Sequence, residues 1–259
     1  MSTSPAETDD LGSELTRLAS ADNFRDVAGD GYPTTDGRRL RTGVLFRSNE
    51  LQLTDADAHA LGSLGITAVY DLRETHEVDA HPDIEVPGST WHHVEVRGIP
   101  MDSVSHLASR DEGLAAMRGV YRAFVDNPDA RASFAELLTR LATTDGAQLF
   151  HCTAGKDRTG WAAALVLTLC GVDRDVVVTD YLLTNAVGGT REKYLAMVRE
   201  HLGEDKVAVY ETVMVADAAY LQEAFDAVAA TYGSIEDYVR DGLGVSDETV
   251  AALVSRELA

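Results

Sequence analysis

His151-Cys152-Thr153-Ala154-Gly155-Lys156-Asp157-Arg158-Thr159-Gly160 lies between a short apolar run, Gln148-Leu149-Phe150, and a longer one, Trp161 to Cys170. The first has the length of a buried strand and the second that of a helix, with Gly171 placed to end it. A glycine-containing turn between a strand and a helix gathers successive backbone N–H groups into a concave nest, and the helix adds the positive end of its dipole. A cysteine followed six positions later by an arginine is the spacing that wraps such a turn around one tetrahedral oxyanion. Arg158 then grips two oxygens with its planar fork, and Thr153, Ala154, Gly155, Lys156 and Thr159 complete the cradle. Positive surroundings favour a thiolate, and a thiolate facing the bound centre is an activated nucleophile. Cys152 is therefore the candidate nucleophile. His151 is placed to orient the loop, and the Thr159 hydroxyl to stabilise the thiolate as it leaves.

Outward from this loop the pattern repeats. Val44-Leu45-Phe46 reads as a short strand. Thr54 follows as a helix N-cap, with Asp55 and Asp57 at the positive end of the dipole, Leu61 and Leu64 on the apolar face, and Gly65 at the end. Ile66-Thr67-Ala68-Val69-Tyr70 then has the β-branched, apolar character of a buried strand. A further strand is expected over Trp91 to Val96. Leu114, Met117, Tyr121, Phe124 and Val125 have helical spacing, Asn127-Pro128 breaks the run, and Phe134, Leu137, Leu138 and Leu141 form a second helical face. From Asp175 onward the chain reads as helical, with Ser234 and Ser246 as caps and Gly188-Gly189 and Gly242/Gly244 as breaks. The expected fold is α/β, a mostly parallel central sheet flanked by helices, with a helical lid near 102–127 and C-terminal helices. Residues 1–20 read as a loose tail and 21–259 as one domain.

The 259 residues carry 43 Asp+Glu against 22 Lys+Arg, a formal charge of −21. Such a surface repels polyanions, so nucleic acids and anionic membranes are not expected partners. The charge is uneven: 200–259 holds 13 acids against 3 bases. No run approaches the ~20 apolar residues of a membrane span, and the start lacks the basic, then apolar, order of a signal peptide. A cytoplasmic location is the expectation. Two cysteines and scattered histidines show neither a disulfide framework nor zinc spacing, so no metal or other cofactor is expected.

HCTAGKDRTG resembles the HC-x5-R-[ST] signature of the cysteine-based protein tyrosine phosphatase superfamily. More closely, the chain resembles the atypical bacterial tyrosine and phosphoinositide phosphatases of the mycobacterial PtpB type. That likeness runs through Asn23-Phe24-Arg25-Asp26-Val27, Val44 to Ser48, Asp71-Leu72-Arg73, Asp180 to Leu183 and Tyr232-Gly233-Ser234. The resemblance implies metal-free phosphomonoester hydrolysis in two steps, through a cysteinyl-phosphate on Cys152. It also implies phosphorylated proteins or phosphoinositides as substrates. Asp157, beside Arg158, is the first choice for the general acid, since the PtpB type carries an aspartate there; Asp71 and Asp102 are alternatives. Lys156 adds positive charge beyond what phosphotyrosine needs, as in loops that take phosphoinositides.

Other residues read more plainly. Cys170 belongs to the core. Asp71-Leu72-Arg73 reads as an ion pair supporting the loop, whereas Asn23 to Asp26 either lines the cleft or caps an N-terminal segment. His92 and His93 alternate across a strand, which separates their rings. Two other readings stay open: a rhodanese-like sulfurtransferase, disfavoured by Arg158-Thr159 and the loop length, and an inactive phosphate-binding module, disfavoured by retention of both Cys152 and Arg158.

Overall fold

The computed structural model describes residues 20–99, 104, 106–186 and 190–259, leaving aside the side chains of 190–194. Five strands, β1 (Arg25–Asp26), β2 (Leu45–Ser48), β3 (Ile66–Asp71), β4 (Thr90–His93) and β5 (Ala147–His151), form one sheet in the order β1-β2-β5-β3-β4. Only the β1–β2 pair is antiparallel. The mostly parallel sheet agrees with the α/β expectation.

Side chains on the central strands alternate between two apolar cores, as the two-residue period of a strand requires. Phe46, Val69 and Leu149 face one side, where α1 (Asp55–Ser63) covers them with Ala58 and Leu61. Leu45, Ala68, Tyr70 and Phe150 face the larger core on the other side. That core is covered by α3 (Arg110–Asp126), α4 (Pro128–Thr143) and α5 (Asp157–Leu169). The chain continues through α6 (Arg174–Leu182), α7 (Thr190–Leu202), α8 (Glu204–Met214), α9 (Ala218–Thr231), the short α10 (Ile235–Asp237) and α11 (Asp247–Glu257).

The sequence signals for caps are met. The Thr54 hydroxyl accepts the Asp57 amide at 3.2 Å, and those of Ser234 and Ser246 accept the amides of Asp237 and Thr249. Two local expectations are corrected, and two elements, the short helix over Thr75–Ala80 and β1, are not anticipated by the sequence pattern. The strand near Trp91 is confined to Thr90–His93; beyond it, Val94 and Val96 leave the sheet edge but still bond the carbonyls of Asp71 and Leu72. The helix after the signature loop starts at Asp157, four residues before its apolar run. The helix α2 (Thr75–Ala80) has no buried residue, and so lacks the apolar stripe that would reveal it. Lastly, β1 has only two residues, too few for periodicity. The tail, Asp102 and the break at Gly188-Gly189 lie outside the described residues, whereas α3 of the expected lid is packed into the core through Met117, Tyr121 and Phe124.

The parallel strands bring their C-terminal ends to one edge. Ser48 of β2 and Asp71 of β3 both stand in register with His151 of β5. The segments leaving these strands, Cys152 included, are therefore collected at that edge, the usual place for a site in an open α/β sheet.

At the opposite end of the chain Glu257 is 3% exposed, held as its carbonyl accepts the Arg41 amide at 2.7 Å and Ala259 bonds back to Arg39. Burial pushes the Glu257 carboxyl up to about 7; nearby Asp26 adds to the rise, while Arg256 and Arg41 oppose it. The folded state thus holds a proton that the unfolded chain releases near 4.5. This contribution is fully present below that value and is lost as pH rises through about 7. Glu257→Gln should remove roughly 2–3 kcal/mol of stability loss between pH 5 and pH 8. Urea unfolding at both pH values checks this; an unchanged pH dependence in the variant rejects it.

Candidate active site

The signature loop leaves β5 at His151 and enters α5 at Asp157, and its carbonyls are turned outward. The Asn23 side-chain amide donates to the carbonyls of Ala154 and Gly155, at 3.0 Å each. Arg47 Nη2 donates to the Gly155 carbonyl at 3.0 Å, and the Glu50 amide to that of Thr153 at 3.0 Å. Among the described residues, nothing accepts from the amides of Thr153, Ala154, Gly155 or Lys156. With carbonyls outward these N–H groups face the concave side, and no side chain caps α5, so its first-turn amides are free for an anion. Gly155 adopts φ +65, and a Cβ there would meet the Ser48 carbonyl oxygen at 2.4 Å; only glycine fits this turn.

Behind the loop lies a buried ionic cluster. Asp180 of α6 receives Arg47 Nη1 at 2.7 Å and Arg25 Nε at 3.3 Å, while Arg25 Nη1 also donates to Asn23 Oδ1. Burial and the neighbouring Arg25 lower Arg47 to about 10, against the pull of Asp180, so it stays charged at neutral pH. Asn23 and Arg25 thus brace the loop from behind.

On the other flank, Arg73 Nη2 bridges Asp71 at 2.7 Å and Asp83 at 2.8 Å, and its Nη1 reaches Glu50 at 3.2 Å. Asp71-Leu72-Arg73 is thereby an ion pair at the loop's edge, as expected. His151 is fully buried, with Nε2 facing Asp83 Oδ2 at 3.0 Å as an ion pair without hydrogen-bond alignment. Burial opposes the imidazolium, but the charges of Asp83 and Asp71 prevail and raise its pKa. Asp71, Asp83 and His151 bring ligand atoms within 4.8 Å of one another, yet the Arg73 guanidinium already occupies the cationic place among them.

Inside the cup, Cys152 is 2% exposed. Arg158 reaches across with Nη1 2.5 Å and Nη2 3.0 Å from the two oxygens of Glu77 on α2. Burial disfavours its charge, but facing Cys152, Glu77 and Asp157 outweigh that and raise its pKa. Arg158 Nη2 also donates to Thr153 Oγ1 at 3.3 Å, whereas Nε has no acceptor among the described residues and remains for a second anion. Glu77, though burial opposes its charge, is held down at about 2 by Arg158, the Thr153 hydroxyl and the Glu74 amide. Sequence reasoning missed Glu77; its only signal is a Glu-x-x-Glu capping box at residues 74–77.

The structure places the Lys156 ammonium away from the cup. It donates to the carbonyls of Val213, in the last turn of α8, and Val215, just past it, and lies 3.3 Å from Asp157 Oδ1. Only its backbone remains in the loop. Thr159 is buried with Oγ1 unpartnered. Asp157 Oδ1 also accepts from the Tyr121 hydroxyl at 2.9 Å. Cys170 is 3% exposed, and burial pushes its thiol up to about 12, as befits a core residue.

A parallel sheet delivering a Cys-x5-Arg loop to a helix N-terminus is the architecture of the tyrosine phosphatase class. A profile of the tyrosine phosphatase family matches residues 16–259, and the chain belongs to that family. It is 34% identical over 270 residues to the triple specificity protein phosphatase PtpB of Mycobacterium tuberculosis, covering 90% of this chain and 95% of the relative. A putative tyrosine-protein phosphatase of Cupriavidus necator is 34% identical over 86% of this chain and 82% of its own. A tyrosine-protein phosphatase of Nostoc commune is 29% identical over 71% of this chain and 67% of its own.

Asp180→Ala leaves Arg25 and Arg47 buried without their shared counter-charge, which should cost about 3–5 kcal/mol. Urea denaturation at pH 7 measures it; a loss below about 1 kcal/mol, the range of an exposed pair, overturns the bracing role.

Proposed function

We propose that the protein hydrolyses phosphomonoesters through a cysteinyl-phosphate, with phosphotyrosine proteins as principal substrates. The observation that carries this reading is the loop itself: inward amides, the Cys152 sulfur among them, and Arg158 with Nε free of any acceptor among the described residues. The Cys152 thiolate attacks phosphorus, the P–S bond forms, and the P–O bond to the leaving group breaks. The departing oxygen keeps the electron pair and takes a proton from Asp157. Water then attacks phosphorus and passes a proton to the Asp157 carboxylate, the P–S bond breaks with its electron pair going to sulfur, and phosphate leaves while the Thr159 hydroxyl donates to the Cys152 thiolate. No metal enters these steps. Most of the acceleration comes from charge stabilisation and alignment within the loop.

Asp157 is preferred over Asp71 as the acid, because Asp71 is fully buried and bound to Arg73 on both oxygens. Phosphoserine/threonine and phosphoinositides are proposed as further substrates, supported by the likeness to a protein named a triple specificity phosphatase. The position of Lys156, turned to the Val213 and Val215 carbonyls, weighs toward phosphotyrosine as the first among these.

Phosphate release from phosphotyrosine, phosphoserine/threonine and phosphoinositide substrates is the test, with Cys152→Ser as the blank. Cys152→Ser should be inactive on all of them, and activity persisting in it rejects the covalent route. Asp157→Asn should lower turnover on alkyl phosphates by about 10²-fold or more, and far less on esters with good leaving groups. Equal losses on both remove Asp157 as the acid.

A further inference from the structure

Two buried tyrosines end on Asp157. Tyr121 of α3 is fully buried and Tyr181 of α6 is 1% exposed; their hydroxyls lie 2.6 Å apart, and Tyr121 continues to Asp157 Oδ1 at 2.9 Å. Gly160 makes this approach possible, since a Cβ there would stand 2.9 Å from the Tyr181 ring.

The hydrogens have one consistent arrangement. The Lys156 ammonium, 3.3 Å from Asp157 Oδ1, has only protons to offer, so Oδ1 is an accepting oxygen. Tyr121 therefore donates to Oδ1, and Tyr181 donates to Tyr121. Burial and the Asp157 charge raise both phenols well above 10, so both remain donors across the working pH range. Asp157 Oδ2 has no hydrogen bond among the described residues. We propose that Tyr121, backed by Tyr181, is a positioning residue that fixes Oδ1 as the acceptor, so that Asp157 carries its transferable proton on Oδ2. During leaving-group departure that proton moves from Oδ2 to the departing oxygen, and the carboxylate left behind stays bound by Tyr121 through Oδ1. This rests on Asp157 as the proton donor.

The test uses the full chain and compares an alkyl phosphate with a dinitrophenyl phosphate, whose leaving group needs no proton. Tyr121→Phe should lower kcat/KM, which reports the steps through P–O cleavage, by about tenfold on the alkyl ester and leave it within about twofold on the activated ester. Tyr181→Phe should act in the same direction but less strongly. Tyr220→Phe, whose hydroxyl bonds the Thr212 carbonyl at 2.8 Å instead, should leave the ratio of the two rates unchanged. If Tyr121→Phe fails to fold, Tyr181→Phe decides by the same ratio. Equal losses on both esters, or no loss, overturn the positioning role. Asp157→Asn in the same panel separates the two readings. If Asp157→Asn discriminates between the esters while the tyrosine variants do not, the inference fails alone. If Asp157→Asn does not discriminate, the proton-donor reading fails and takes the inference with it.

Discussion

Asp180 holds two buried guanidinium groups, and through them the direction in which the signature loop presents its backbone. A peptide nest faces an anion only if its carbonyls are satisfied on the opposite side. Otherwise the chain relaxes into turns in which amides and carbonyls pair with each other. Here Asn23 and Arg47 take the carbonyls of Ala154 and Gly155, Arg25 orients Asn23, and Asp180 neutralises both arginines. Removing water from three charges is costly, and such clusters persist where geometry matters more than stability. The geometry secured here is a row of inward amides that nothing among the described residues uses.

The sheet supplies the other half of that constraint. Because Ser48, Asp71 and His151 stand in register, the loop emerges between two strand ends, and each flank carries its own charged cluster. Arg73 with Asp71, Asp83 and Glu50 fixes one side, and the Leu72 amide ties that side to the His151 carbonyl at 2.8 Å. A loop clamped on both edges loses little freedom when an anion enters, so binding energy goes to the reacting centre rather than to ordering the protein.

Much of this was legible from Cys152, Gly155 and Arg158 and from the alternation of Leu45, Phe46, Ala68, Val69, Leu149 and Phe150, because spacing and period are properties of the sequence itself. The side-chain destination of Lys156 was not. Whether an ammonium at that position faces the anion or turns to the carbonyls of Val213 and Val215 depends on how α8 packs, some 57 residues away in the chain. Glu77 was hidden because α2 buries no residue, so no apolar stripe marks it. Tyr121 has helical spacing with Met117 and Phe124 and reads as core, which it is; its hydroxyl is the informative atom, and a hydrophobic period carries no information about a hydroxyl. Asn23 and Arg25 stood in a recognisable segment, but only the fold shows that they act from behind the loop.

Glu77 also bears on the charge balance of the whole chain. In a protein with a net charge of −21, the buried Arg158 would be an uncompensated cation whenever the cup is empty, and such a group is costly in a nearly dry site. Glu77 supplies the counter-charge from the Nη1–Nη2 edge, and Nε keeps no acceptor among the described residues. Phosphate can therefore enter without first displacing the carboxylate. The arrangement has an electrostatic consequence: with Glu77 and Asp157 present, the cup is less positive than Lys156 and Arg158 alone suggest, so its grip on a dianion depends on directed N–H groups more than on net charge. Directed amides reward the tetrahedral geometry of a phosphoryl group, whereas net charge attracts any anion. That preference suits an acidic protein, whose outer surface repels anions.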